Sequence, residues 1–117
     1  MVAEIPMHEW VEEFPSPITV CDVHGIIVAM NSASRLNFAQ QGGEALIGTS
    51  LFDCHPADSN KIIRKMLQKE FAQTYITENK GKKRLVNQSP WYKDGILAGL
   101  VETIVDIPGD VEVRKRS

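Results

Sequence analysis

Ile18-Thr19-Val20-Cys21-Asp22-Val23-His24-Gly25-Ile26-Ile27-Val28-Ala29-Met30-Asn31 is the stretch on which the fold turns. Two β-rich runs, Ile18 to Cys21 and Ile26 to Met30, flank Asp22-Val23-His24-Gly25. Asp at the first position and Gly at the fourth is the composition of a type I turn region, so the runs read as a hairpin. Asn31-Ser32 follow at once, and both are good helix caps. A short helix through Ala33, Leu36 and Ala39 is then expected, closed by Gly42-Gly43. The hairpin therefore hands the chain directly to a helical segment.

Upstream, Pro6 suits a first helical position, and Met7, Trp10, Val11 and Phe14 form one apolar stripe at helical spacing. His8, Glu9, Glu12 and Glu13 take the other side, and Pro15-Ser16-Pro17 stops the helix. So short a helix is not stable alone, and its stripe must dock on something.

Downstream, Glu44 to Ile47 can make one more helical turn, and Leu51-Phe52-Asp53-Cys54-His55-Pro56 is compact and irregular. Asp58 or Ser59 then caps the clearest helix. Its inner stripe is Ile62, Ile63, Met66 and Leu67, with Lys61, Arg64, Lys65 and Lys69 toward solvent. From residue 73 the periodicity changes to strands: Thr74 to Glu78, Arg84 to Tyr92 and Ile96 to Asp106. Asn79-Lys80-Gly81 and Lys93-Asp94-Gly95 separate them as turns. The order predicts an α+β domain whose helices cover one face of an antiparallel sheet, because the strands are too apolar to leave both faces wet.

Composition fits one globular domain. Hydrophobic residues make up 43% and charged residues 24%, which excludes disorder, while aromatics at 7% leave the core to aliphatic side chains. No apolar run approaches a membrane span and no leader pattern is present, so no membrane association and a cytoplasmic location are expected. Two cysteines, Cys21 and Cys54, are too few for a disulfide framework. The charge is uneven: residues 1–59 carry eight acidic residues against Arg35, and residues 60–117 twelve basic against seven acidic. Such asymmetry can guide association, though two solvated faces of opposite sign explain it as well.

The ordered set of pieces resembles the PAS family, in its bacterial form. The matching pieces are Ile18 to Gly25, Ile26 to Asn31, Gly43-Glu44-Ala45-Leu46-Ile47-Gly48, Asp94-Gly95 with Gly99, and the closing Val105-Asp106-Ile107. The resemblance implies a PAS-like five-stranded antiparallel sheet with short helices on one face and an N-terminal amphipathic helix. The expected organisation is a capping or dimerisation helix over 1–14, the PAS domain over 15–107 and a flexible tail over 108–117. The resemblance further implies a sensor with a cavity between sheet and helices, and a homodimer formed through Met7, Trp10, Val11 and Phe14. Those residues satisfy equally well a helix that caps its own sheet. The family commonly runs from its last strand into a helix leading to an output domain. Here Pro108-Gly109-Asp110 breaks regular structure, so an effector is expected elsewhere.

For chemistry, His55 is the most suggestive polar residue, since it precedes the long helix that should wall the cavity. It can hydrogen-bond a ligand or serve as axial ligand to haem, a lesser alternative. Cys21, His24, Cys54 and His55 make a nominal zinc set, but their spacing argues against a site and no metal is expected. A photoreactive flavin cysteine is unsupported, because Cys54 stands in Asp-Cys-His. Ser89, His55 and Asp53 supply hydrolase residue types without a nucleophile elbow, so no enzyme and no catalytic residue is expected.

The expected apolar lining is Met30, Phe38, Leu46, Phe52, Ile63, Met66 and Leu67, the alternative being a filled core. On the strand 84–92, Leu85, Asn87, Ser89 and Trp91 share one face, and Val86, Gln88, Pro90 and Tyr92 the other. Leu100, Glu102 and Ile104 alternate on the next strand. Asn87, Ser89, Trp91 and Glu102 facing inward would fix a polar or cationic ligand, although alternation does not choose the inward face. Lys80, Lys82, Lys83 and Arg84, with the terminal Arg114-Lys115-Arg116, lack interleaved aromatics, so no nucleic acid is expected. The sequence thus predicts a sensor that binds a small molecule and signals to a partner protein, or alternatively a ligand-free interaction and dimerisation module.

Overall fold

A computed structural model describes residues 7–53 and 55–117; Pro6, Cys54 and the side chain of Met7 lie outside the described residues. Five strands form one antiparallel sheet in the order β2-β1-β5-β4-β3. They are β1 (Ile18–Asp22), β2 (Ile27–Met30), β3 (Gln73–Asn79), β4 (Lys82–Lys93) and β5 (Ile96–Ile107). The last three are a meander, and β1 inserts beside β5, which puts the first and last strands at the centre.

The hairpin that opens the fold forms as its turn residues dictate. Asp22 Oδ1 accepts from the backbone N–H groups of His24 and Ile26, at 2.9 and 3.0 Å, and Gly25 N–H returns to Asp22 O. Gly25 sits at φ 79°, and a side chain there would strike the Phe52 ring. The two later hairpins close on Lys80-Gly81 and Asp94-Gly95, all four with positive φ, the mirror-image turns whose twist matches antiparallel strands.

Between β2 and β3 run α2 (Ser32–Asn37), three single-turn 3-10 helices at Ala39–Gln41, Gly43–Leu46 and Leu51–Asp53, and α3 (Ala57–Lys69). Asn31 caps α2 by accepting from Ser34 N–H. The cap expected at Asp58 or Ser59 is instead Pro56, with no side-chain capping bond, and the helix begins one residue before Asp58. Proline fixes the entering backbone angle and so starts the helix without an oxygen acceptor. The buried positions of α3 are Ile63 and Met66, while Ile62 is exposed. Ile63 and Met66 pack with Cys21 of β1 and Leu100 of β5, and Leu51, Phe52 and Leu67 close round them.

The N-terminal helix α1 (Met7–Glu12) is short. It is fastened at its end by one side chain: Asn31 Nδ2 donates to the carbonyls of Val11, Phe14 and Ser16. Arg35 of α2 adds an ion pair to Glu12. No helix among the described residues is long and apolar enough to cross a membrane.

Candidate functional site

A cavity of about 390 Å³ opens between the sheet and the helical segment, beside the packed Cys21–Ile63–Met66–Leu100 cluster. Its floor is the inner face of the sheet: Thr19 and Cys21 of β1, Ile27 and Met30 of β2, and Leu100, Glu102 and Ile104 of β5. Arg84, Val86 and Gln88 of β4 and Tyr75 and Thr77 of β3 complete it. The far wall is Asn37, Phe38, Gln41, Leu46, Leu51, His55 and Ile63.

The polar groups of the floor form two sets. In the first, Gln73 Nε2 donates to Gln88 Oε1 at 2.6 Å, and Gln88 Nε2 donates to Glu102 Oε2 at 2.8 Å. These residues are register partners across β3, β4 and β5, and Thr19 of β1 continues the same row. Thr19 Oγ1 shares a hydrogen bond of 2.6 Å with the buried Ser34 of α2. In the second set Arg84 donates from Nη1 to Asn37 Oδ1 at 2.8 Å. Its Nε lies 3.2 Å from Asp106 Oδ1, an ion pair out of line for a hydrogen bond. Burial pushes the Tyr75 hydroxyl pKa up, and the nearby Glu102 pushes it the same way. The Cys21 thiol is raised chiefly by burial.

Of the residues expected to line the cavity, Met30, Phe38, Leu46, His55, Ile63 and Glu102 do so. Met66 and Leu67 belong to the packed cluster beside it, and Met66 is fully enclosed at 0% exposure. Phe52 is held between Gly25 and the Arg64 guanidinium, whose carbon sits 4.0 Å from the ring centre. Asn87, Ser89 and Trp91 lie on the other face of β4. Ser89 Oγ donates to Asn87 Oδ1, Asn87 Nδ2 donates to Thr74 Oγ1, and the Trp91 indole donates to Cys21 O. The inward set on β4 is therefore Arg84, Val86 and Gln88. A register shift in the β4–β5 ladder at Trp91/Tyr92, which leaves Ala98 of β5 out of the pairing, sets Gln88 rather than Asn87 on the same face as Glu102. Ser89 thus faces away from His55, across the sheet.

The residues of the amphipathic N-terminal stripe are surface residues in one chain: Trp10 and Phe14 are 48% and 41% exposed, with their rings edge to face at 5.8 Å, and Val11 is half-buried. His24 is exposed in its turn, and among the described residues no three His, Cys, Asp or Glu side chains gather as a metal site. His55 Nδ1 lies 2.6 Å from Leu51 O, which leaves Nε2 as the ring nitrogen available to a ligand. That orientation fits an axial haem ligand, since a ligating imidazole characteristically gives its other N–H to a carbonyl. A cavity of 390 Å³ lies toward the lower end of the range for organic ligands, which favours a smaller molecule.

A five-stranded antiparallel sheet in the order 2-1-5-4-3, with a helical segment between its second and third strands and a cavity beneath, defines an α+β domain of helices packed on one sheet face. A family model described as the PAS fold matches residues 11–109, and the chain belongs to that family, a fold typical of signalling sensors. No curated protein sequence matches significantly. Among solved structures the chain is similar to VqmA bound to DPO, with a TM-score of 0.69, 15% identity, and coverage of 87% of this chain and 56% of that one. VqmA is a Vibrio cholerae protein described among LuxR-type receptors. The PAS domain of Bordetella pertussis BvgS gives 0.62, 19% identity and coverage of 87% and 84%. The Vibrio cholerae Aer2 receptor, described as a dual PAS-heme oxygen sensor, gives 0.61, 14% identity and coverage of 80% and 95%. At these identities the likeness is one of fold, and the chain spans about half of VqmA.

Proposed function

We propose that this chain is a sensory domain that binds a small organic molecule in the cavity and passes the resulting rearrangement to a partner protein. The carrying observation is the cavity itself: about 390 Å³, mostly apolar, with a few polar groups aligned on its sheet floor. That is the usual constitution of a small-molecule site. VqmA, similar in fold, is described bound to DPO. Binding rather than catalysis is the reading we adopt.

A route outward runs through Met30 and Asn31. Met30 lines the cavity, and the next residue holds three carbonyls of the N-terminal segment. A ligand that displaces Met30 shifts the seat of α1, and with it any association made through Trp10 and Phe14.

The test is a native mass spectrum of the purified protein beside its denatured mass, repeated on Leu46→Trp, which fills the cavity from its helical wall. A noncovalent mass lost on denaturation, absent from a folded Leu46→Trp, supports the reading. A bare chain from every preparation, or an adduct that Leu46→Trp retains, overturns it. A haem-sized adduct with visible absorption lost in His55→Ala would establish the haem alternative.

A second reading has its own observation. Ile76, Leu85 and Val105 are partners in one row across the outer sheet face, and Ile76 is 57% exposed. With Trp10 and Phe14 they would serve a ligand-free interaction module. That reading predicts that Trp10→Ala with Phe14→Ala abolishes self-association by light scattering. A double mutant that still dimerises at micromolar concentration removes the helix from the interface.

A further inference from the structure

We infer that the molecule held in the cavity is a small organic cation, an apolar body bearing a protonated amine or amidine that docks against Glu102. This rests on the reading that the cavity holds a small molecule, and it names the chemistry of that molecule.

Among the described residues Glu102 is the one carboxylate that lines the cavity. It is half-buried, and its described hydrogen bonds engage Oε2 alone. The donor to Oε2 is an amide, whose own oxygen is occupied by the next amide, so the donations run one way, from Gln73 through Gln88 to the carboxylate. The amides orient Glu102, and among the described residues no cationic side chain pairs with it. The ion pairs among the described residues join Arg35 to Glu12, Lys83 to Glu78, Arg84 to Asp106 and Arg114 to Glu112, and none reaches Glu102. Arg84 also lines the cavity, but it is committed to Asp106 and Asn37 and stands four residues along β4 from Gln88, about 13 Å at the rise of a strand. The remaining ionisable base, His55, is on the helical wall and tied to Leu51 O.

A half-buried carboxylate without a counter-ion is stabilised by a ligand that brings one. An N⁺–H donor at this point makes a charge-assisted hydrogen bond to Glu102. Tyr75 lines the same cavity close enough to Glu102 to feel its charge, and an aromatic ring beside a carboxylate is the usual pairing for holding an ammonium group. An anionic ligand meets repulsion at this end, and a neutral one leaves the carboxylate uncompensated.

Three probes with one apolar body separate the cases: phenethylamine, 2-phenylethanol and phenylacetate, titrated into the full chain and followed by the side-chain amide signals of Gln88 and Gln73 in ¹H–¹⁵N spectra. The amine is expected to bind about ten-fold more tightly than the alcohol, the gain of one charge-assisted bond, with phenylacetate weakest. In Glu102→Gln, which keeps the acceptor for Gln88, the amine should fall to about the affinity of the alcohol. Equal binding of amine and alcohol in the wild type, or a preference that Glu102→Gln leaves intact, overturns the cationic inference while the cavity reading stands. Failure of the amine to move either amide overturns the cationic inference, while the cavity reading is decided separately by the mass spectra of the wild type and Leu46→Trp.

Discussion

Gln88 Nε2 lies 2.8 Å from Glu102 Oε2, and the two residues stand opposite each other on β4 and β5. Gln88 is buried at 7% exposure, and its amide is used at both ends, so its orientation is dictated by a neighbour that can only accept. Gln88→Leu keeps the volume but strands Glu102 Oε2 and Gln73 Nε2. A loss of about 1–3 kcal/mol is expected, read as a lower urea midpoint at unchanged slope. A midpoint equal to the wild type would show that water replaces the amide at no cost.

That pair also marks where sequence reading reached its limit. Strand identities, the two mirror-image turns and the alternation of Leu100, Glu102 and Ile104 are all local patterns, and they are legible. Register is not local. A two-residue turn at Asp94-Gly95 pairs Lys93 with Ile96 and Tyr92 with Leu97, and carried on unbroken it would set Asn87 opposite Glu102. The bulge at Trp91/Tyr92 adds one residue and sets Gln88 there instead. Gly99 inside the strand is the one residue type that marks the place, because an interior glycine signals a bulge or a close approach without saying which way the register moves. Gly99 lets β1 approach closely, and the Trp91 indole bonds Cys21 O. Met66 and Leu67 failed as cavity residues for a related reason: a helical stripe tells which residues are inward, not which of them meet a void.

Asn31 joins three parts of the fold through one amide. Its Oδ1 accepts from Ile18 N–H and Ser34 N–H, and its Nδ2 donates to the three carbonyls of the N-terminal segment. Asn31→Ala should cost about 3 kcal/mol, a cap plus unsatisfied buried groups. Asn31→Asp separates the two roles, since it keeps both acceptor contacts and loses the donor. It should retain α2 while hydrogen exchange of residues 8–14 accelerates well beyond the wild type. Unchanged exchange there would show that Asn31 does not hold α1.

Gly99 is required by backbone approach as well as by conformation. It sits at φ 151°, and a Cβ on it would lie 1.8 Å from Cys21 O. Gly99→Ala must push apart the two central strands and is expected to cost about 3 kcal/mol or more. Gly81→Ala is the control: its φ of 78° is also positive, but nothing stands within 4 Å. It should cost about 1 kcal/mol from backbone strain alone. Equal losses in the two variants, by urea titration, would show that conformation rather than the contact with β1 sets the requirement at Gly99.

Cys21 links the cavity to pH. Burial is the main cause of its raised thiol pKa, with the charges of Asp22 and Glu102 acting in the same direction and a backbone hydrogen bond from Leu100 opposing. The folded chain therefore keeps a proton that the unfolded chain gives up near the ordinary value of 9.0. The sign follows: the contribution to stability is complete below pH 9.0 and is lost as pH rises through the raised folded value. Tyr75 adds a loss of the same sign that begins near 10.0, so the comparison belongs below that pH. Between pH 8 and 9.5 the wild type should lose stability more steeply than Cys21→Ala. At pH 8, iodoacetamide should modify Cys21 far more slowly than a free thiol, as read by peptide mapping. Because Cys21 also lines the cavity, a saturating cavity ligand should slow that modification further. Rapid alkylation, or identical slopes in the two proteins, would mean that the thiolate is solvated in the folded chain and that the cavity admits water freely at its β1 side.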